Sequence, residues 1–277
     1  MDHRSLASLD VIPPRKALPL LLSIPHAGRG YPGWLVRESV GGVATLETLE
    51  DPLIDRLAWR ALASGVGAVI ARAPRAAIDC NRAPQEIDPA VVIGAGEPTS
   101  VRAKAGLGII PGRTARHGHL WCRPITRAEL DRRIALVHAP YHAAIERGLD
   151  CLAIAHGVAL LLDCHSMPPR HGQPELVIGD RHGTSASRLI TDAAARIARS
   201  NGWSVALNSP YAGGYVVERH GHPAANIHAL QLEIDRGCYL GADGRTPGPG
   251  FDRAARLLEQ LVIGLAAIID APAIAAE

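Results

Sequence analysis

The sequence predicts an α/β fold built as a single domain over residues 1–277, with a mixed, mainly parallel sheet and helices on both faces. Three observations predict it. Short apolar runs of strand length alternate along the chain with segments whose apolar residues recur at helical spacing. Several of the short runs are apolar throughout, the pattern of strands buried on both faces. The breaks between segments are short and rich in Gly and Pro, with neither an internal repeat nor a low-complexity linker to divide the 277 residues.

Taken in order, ALPLLLSI (17–24) is a continuous apolar run between Pro13-Pro14 and Pro25 and predicts a buried strand. From residue 51 to about 64, Leu53, Ile54, Leu57, Ala58, Ala61 and Leu62 keep helical spacing. Residues 67–71 and 76–79 predict two short strands with a break at Pro74. Thr126-Arg127-Ala128-Glu129 is a capping box, in which Thr126 and Glu129 each satisfy a backbone amide of the first turn. It opens a long helix with Leu130, Ile134, Val137 and Tyr141 as its apolar stripe, and Pro140, lacking an amide hydrogen, predicts a kink. VALLLDC (158–164) and ELVIGD (175–180) predict strands, and 185–200 a helix stopped by Asn201-Gly202. WSVALN (203–208), the Gly213-Gly214 pair with YVVE, LQLEID (230–235) and a last helix from Phe251 complete the series.

Composition narrows the function classes. Hydrophobic residues at 47% and charged residues at 20% are ordinary for a globular protein. The net charge of +2 is spread along the chain without a run of Lys or Arg, which gives no footing to nucleic acid or a membrane surface as partner and suits a small anionic substrate. No apolar run approaches the roughly 20 residues of a membrane span, and MDHRSLASLD lacks the apolar core of a signal peptide, so a cytoplasmic location is expected. The five cysteines (Cys80, Cys122, Cys151, Cys164, Cys238) are odd in number and lack CxxC spacing. Reduced, mostly buried thiols are expected, neither a disulfide framework nor a Cys-rich zinc site.

In parallel sheets ligands collect beyond the carboxyl ends of the strands. Strand 17–24 runs into Pro25-His26-Ala27-Gly28, strand 158–164 into His165-Ser166, and LQLEID carries Glu233 between apolar neighbours. A catalytic zinc ion commonly takes two His and one carboxylate and keeps a fourth position open. His26 and His165 supply nitrogens; Asp51 is the candidate oxygen ligand, with Glu50 beside it an alternative and a plain helix-start charge the other reading of Asp51. Glu233, flanked by Leu232 and Ile234, is expected in apolar surroundings that raise its pKa and fit it for proton transfer, unless it is tied up in an ion pair with Arg236. Asn81-Arg82, in the polar cluster after residues 76–79, offers an amide and a planar fork that suit a carboxylate. Arg75 is placed to approach a polarised carbonyl and Arg219 to meet a second anionic group; each is otherwise a surface charge.

Together these motifs resemble the N-formylglutamate amidohydrolase (N-formylglutamate deformylase) family and, through it, the zinc carboxypeptidases and aspartoacylases. The resembling stretches run in family order from about residue 20 to 245: SIPHAGRGYP, LEDPLIDRLA, PRAAIDCNRAP, LGIIPGR, RIALVHAPYHAAI, LLDCHSMPP, ELVIGDRHGTSAS, NSPYAGGYVVERHGHP and ALQLEIDRGCYL. The resemblance implies a zinc-carboxypeptidase-like (phosphorylase/hydrolase-like) α/β fold. It implies one Zn2+ per chain, or another divalent metal, on His26, Asp51 and His165, with Asn81 and Arg82 on the substrate's α-carboxylate and Glu233 as general base. The implied reaction is hydrolysis of N-formyl-L-glutamate or a similar N-acyl amino acid to formate and L-glutamate, as in histidine degradation, with Arg75 near the oxyanion and Asp163 orienting the second ring nitrogen of His165. Ala27 and Cys80 stand where the family often has Ser and Leu, and neither exchange removes a group the chemistry needs. The loop 111–122 is expected to read the substrate's side chain, and His117, His119, His171 and His182 to be exposed loop residues. Three other functions remain open at this stage. One is deacylation or peptidolysis of another N-acyl amino acid or peptide, a second is a Ser hydrolase using Ser166, without a GxSxG motif, and a third is a ligand-binding module without catalysis.

Overall fold

A computed structural model gives the architecture and describes residue 6 and residues 9–98, 100–114 and 117–270. The N-terminal stretch read above for a targeting signal lies outside the described residues save for three of its positions, as do Ala115 and Arg116 of the loop 111–122. The chain sorts into two compact units interleaved along the sequence, one of residues 11–24, 51–69 and 144–277 and the other of residues 1–10, 25–50 and 70–143.

Among the described residues nine strands form: β1 (Leu9–Ile12), β2 (Leu20–Ile24), β3 (Gly67–Ala71), β4 (Arg113–Thr114), β5 (Gly118–His119), β6 (Ala159–Met167), β7 (Leu176–Gly179), β8 (Val205–Leu207) and β9 (Ile227–Asp235). Seven make one sheet in the order β1-β3-β2-β6-β9-β7-β8, and β4 and β5 pair apart from it. β2 runs parallel to β6, β6 to β9 and β7 to β8, while β7 is antiparallel to β9, so the sheet is mixed and mainly parallel as expected. The apolar runs explain its centre: every residue of β2, β6 and β7 is buried, and all of β9 beyond its first. The helix Phe251–Ile269 packs its apolar stripe, Leu258, Leu261, Val262 and Leu265 among it, against the helices Arg188–Ser200 and Trp59–Ala63.

Several expectations need correction. Residues 51–64 form two short helices, Ile54–Leu57 and Trp59–Ala63, because Leu53 takes a left-handed conformation ahead of the first and Ala58 joins them in a turn. Residues 76–79 form no strand; their backbone is met by Pro74 and Ile109 and by the Arg133 side chain instead of a neighbouring strand. β6 runs on past residue 164 through His165 and Ser166 to Met167, so those residues sit within the strand and Pro168 ends it. YVVE, given no element type by the sequence, lies in a helix, Tyr215–His220, and β1 was not anticipated, its four residues being mostly half-buried with no continuous apolar signal. Thr126 does cap its helix, accepting from the Glu129 amide at 3.2 Å. Ahead of Pro140 the helix Arg127–Arg133 opens into a π turn over Ile134–His138 before continuing as Ala139–His156, a wider turn at the point where proline removes an amide donor. All five cysteines are free; Cys80 and Cys164 are buried, but Cys122 and Cys151 are exposed, so the thiols are less buried than expected.

Candidate metal centre and active site

Strand register assembles the polar groups. Ser23 on β2 stands opposite Asp163 on β6, and Asp163 and His165 stand opposite Gln231 and Glu233 on β9. Alternate residues of a strand share a face. Ser23, Asp163, His165, Gln231 and Glu233 therefore form one polar patch on a single face of three adjacent strands, and all five are buried at 9% exposure or less. That is why Asp163 and His165, two residues apart, interrupt the apolar run of β6 on this face.

His165 is held from both ring nitrogens. Its Nε2 donates to Asp163 Oδ2 at 2.8 Å and its Nδ1 faces Asp51 Oδ2 at 3.0 Å, while Asp163 Oδ1 accepts from Ser23 Oγ at 2.7 Å. The other Asp51 oxygen accepts from Arg236 Nη2 at 2.9 Å, and Arg236 Nε donates to Ser166 Oγ at 3.1 Å. Burial by itself would lower the imidazole, but Asp163, then Asp51 and Glu233, outweigh it and hold His165 well above the ordinary histidine value.

His26 follows β2 by two residues and donates from Nε2 to Asp79 Oδ1 at 2.8 Å. Asp79 also accepts from Arg75 Nε and from the Asn81 amide, each at 2.8 Å. Burial would raise this carboxyl; Arg75, His26 and Arg82 together outweigh burial and hold it well below the usual carboxylate range. Arg75 thus joins the cluster through Asp79. Asn81 is buried, and Arg82 spans the loop with Nε on Leu107 O and Nη1 on Asn81 O, both at 2.8 Å. Gly28, next to this segment, has no room for a side chain: a Cβ would lie 2.1 Å from Ala73 O.

Among the described residues one group of side chains could hold a metal ion, His26, Asp51 and His165, all buried and each with a ligand atom within 4.8 Å of the others'. Two imidazoles and a carboxylate are a catalytic zinc donor set. Each imidazole also has its Nε2 on a buried carboxylate, Asp79 or Asp163, which fixes the ring and leaves Nδ1 as the ligating atom. The residues fit a divalent ion. Of the two carboxylates left open by the sequence, Asp51 is in the group, whereas Glu50 accepts a hydrogen bond from the Tyr31 hydroxyl.

Glu233 does not have the wholly apolar setting expected of it. Leu232 and Ile234 point to the other face; on its own face Gln231 Nε2 donates to Glu233 Oε1 at 2.8 Å, and Gln231 Oε1 accepts from the Gly214 amide at 2.7 Å. The 212–214 segment comes this close because Gly179, opposite Gln231 on β7, has no side chain; a Cβ there would lie 2.6 Å from the Ala212 carbonyl carbon. Arg236 bonds to Asp51 and Ser166, and Ser166 pairs with Arg236 and not with His165, which removes the geometric basis of a Ser–His pair. Arg219 lies at the surface, with Nη1 on the Tyr215 hydroxyl at 3.2 Å and Nη2 at 3.8 Å from Glu146. His117, His119, His171 and His182 are exposed, as expected. Asp79, Gln231 and Arg236 are the site groups whose roles the sequence did not reveal. A signal existed for Gln231, since in L-Q-L-E-I-D the polar residues alternate and must share a face.

Comparison with known proteins gives the family. A family model described as N-formylglutamate amidohydrolase matches residues 18–240. An N-formylglutamate deformylase of Pseudomonas putida is 30% identical over 232 residues, covering 80% of this chain and 82% of that protein. Another, of Pseudomonas aeruginosa, is 31% identical over 247 residues, covering 82% and 84%. The crystal structure of an N-formylglutamate amidohydrolase from Ralstonia eutropha JMP134 matches with a TM-score of 0.86 at 30% identity, covering 95% of this chain and 98% of that one. An Agrobacterium tumefaciens protein of TM-score 0.65 and 18% identity shares the fold. Fold and relatives together make the chain a hydrolase acting on an amide bond, built on a mixed, mainly parallel α/β sheet. It belongs to the N-formylglutamate amidohydrolase family.

Proposed function

We propose that the chain hydrolyses N-formyl-L-glutamate, adding water across the formyl C–N bond to release formate and L-glutamate, with one zinc ion on His26, Asp51 and His165. The observation that carries this reading is the register of β6 and β9, which sets Glu233 beside His165 of the potential metal group. The relatives named N-formylglutamate deformylase support the choice of substrate. Zinc bound there would act as a Lewis acid on the formyl oxygen and lower the pKa of water. Glu233, oriented by Gln231, takes the proton of the attacking water and returns it to the departing nitrogen, so the proton count balances. Asn81 and Arg82 meet the α-carboxylate, and Arg75, anchored on Asp79, faces the developing oxyanion. Arg219 is assigned to the substrate's second carboxylate. Glutamate release of this kind would serve histidine degradation, the setting the family resemblance implies.

The test couples metal analysis with formate release. Purified protein is expected to carry about one zinc per chain and to lose turnover on chelation. Glu233→Gln should lower kcat by about 10²–10⁴-fold, the usual contribution of a general base, while L-glutamate still binds. An N-acetyl or peptide substrate turned over in place of N-formyl-L-glutamate would overturn the substrate assignment, and full activity in metal-free protein would overturn the centre.

A further inference from the structure

The stretch RIALVHAPYHAAI has no part in the chemistry above, yet three of its neighbourhood's side chains act on one short loop. Arg133 Nη1 donates to Ala77 O at 3.0 Å, His142 Nε2 to Cys80 O at 2.9 Å, and His138 Nε2 to Arg82 O at 2.9 Å. All three donors are buried at 2% exposure or less. The loop they meet carries Asp79, Asn81 and Arg82. It has no strand partner, so these side chains do for its carbonyls what a sheet ladder does elsewhere.

The π turn makes this possible. In an uninterrupted α-helix residues 133 and 138 would point about 140° apart, at roughly 100° per residue. The wider turn over Ile134–His138 brings five-residue neighbours toward one face, and His142 follows His138 by the four residues of ordinary helical spacing. Further contacts fix the donors: Arg133 Nε pairs with Glu129 at 2.8 Å and its guanidinium lies 4.9 Å from the Trp34 ring centroid, while the His138 and His142 rings stand 4.4 Å apart.

We propose that His138 and His142, set in line with Arg133 by the π turn, are positioning residues that hold the 77–82 loop in its binding conformation, so that Asn81 and Arg82 meet a substrate carboxylate without being ordered by it. The proposal rests on the reading of Asn81 and Arg82 as the carboxylate clamp. A preformed clamp spares the ordering cost on binding, so loosening it raises KM more than it lowers kcat.

The experiment has two arms on the zinc-loaded full chain. Hydrogen–deuterium exchange of His138→Ala is expected to be faster in peptides covering 77–83 and unchanged in those covering β6; unchanged exchange at 77–83 would overturn the proposal. Steady-state kinetics with N-formyl-L-glutamate should show KM raised about fivefold to tenfold, the scale of one hydrogen bond, with kcat within about threefold. His138→Gln, which keeps a donor at the same reach, should restore KM. An unchanged KM, a loss confined to kcat, or no rescue by Gln would each overturn it. Should His138→Ala fail to fold, His138→Asn, whose amide is too short to reach Arg82 O, is read the same way. If wild-type protein fails to turn over the substrate, the proposed function fails, while the exchange arm still decides the loop's dependence on His138.

Discussion

Asp163 serves two neighbours at once, accepting from the Ser23 hydroxyl on β2 and from His165 Nε2 on its own strand. A carboxylate in this position raises the basicity of the imidazole and fixes its tautomer. Asp163→Asn keeps the shape and removes the charge; zinc affinity is expected to fall by about 10- to 100-fold in a chelator competition, and an unchanged affinity would show that His165 needs no such partner. At this scale the site was half legible. His26, His165 and Glu233 stand out because each interrupts apolar sequence, and Asp163 lies two residues from the histidine it orients. Asp79 and Arg236 do not stand out, since their partners His26 and Asp51 are 53 and 185 residues away and only tertiary folding brings them together.

Elements place these residues through small permissions as well as large contacts. Gly179 on β7 lets the 212–214 segment approach, and Gly214 in turn fixes the amide of Gln231 beside Glu233. Gly179→Ala would drive a methyl into the Ala212 backbone, where nothing flexible can yield. We expect a loss of about 1–3 kcal/mol in stability, read by denaturant unfolding, together with a fall in kcat as Glu233 loses its oriented partner. A variant of wild-type stability and kcat would mean the segment adjusts freely. The buried strands were legible because a strand covered on both faces must be apolar throughout, and the capped helix at Thr126 because its cap is local chemistry. Residues 76–79 misled for the same reason: Ala76, Ala77 and Ile78 are buried and apolar, but side-chain donors, invisible to periodicity, take the place of a paired strand.

For the molecule as a whole, the fold class followed from the alternation of elements, whereas the order β1-β3-β2-β6-β9-β7-β8 did not, because parallel neighbours are joined by crossovers whose destination no local pattern encodes. The potential ligands are likewise scattered, with Asp51 and His165 114 residues apart. An ion bound only by the folded chain stabilises it by about 2.7 kcal/mol when present at 100 times its Kd. Zinc-loaded protein should therefore melt several degrees above chelated protein, and a Tm indifferent to zinc would argue against a centre on these residues. A last consequence follows from β6 continuing through His165. A candidate metal ligand whose backbone is paired with β9 inside the sheet is held independently of surface segments. Swapping the 111–122 segment for that of a relative should accordingly alter which acyl amino acid is accepted while leaving metal affinity intact, so that selectivity and bond-breaking can be tuned separately in this scaffold.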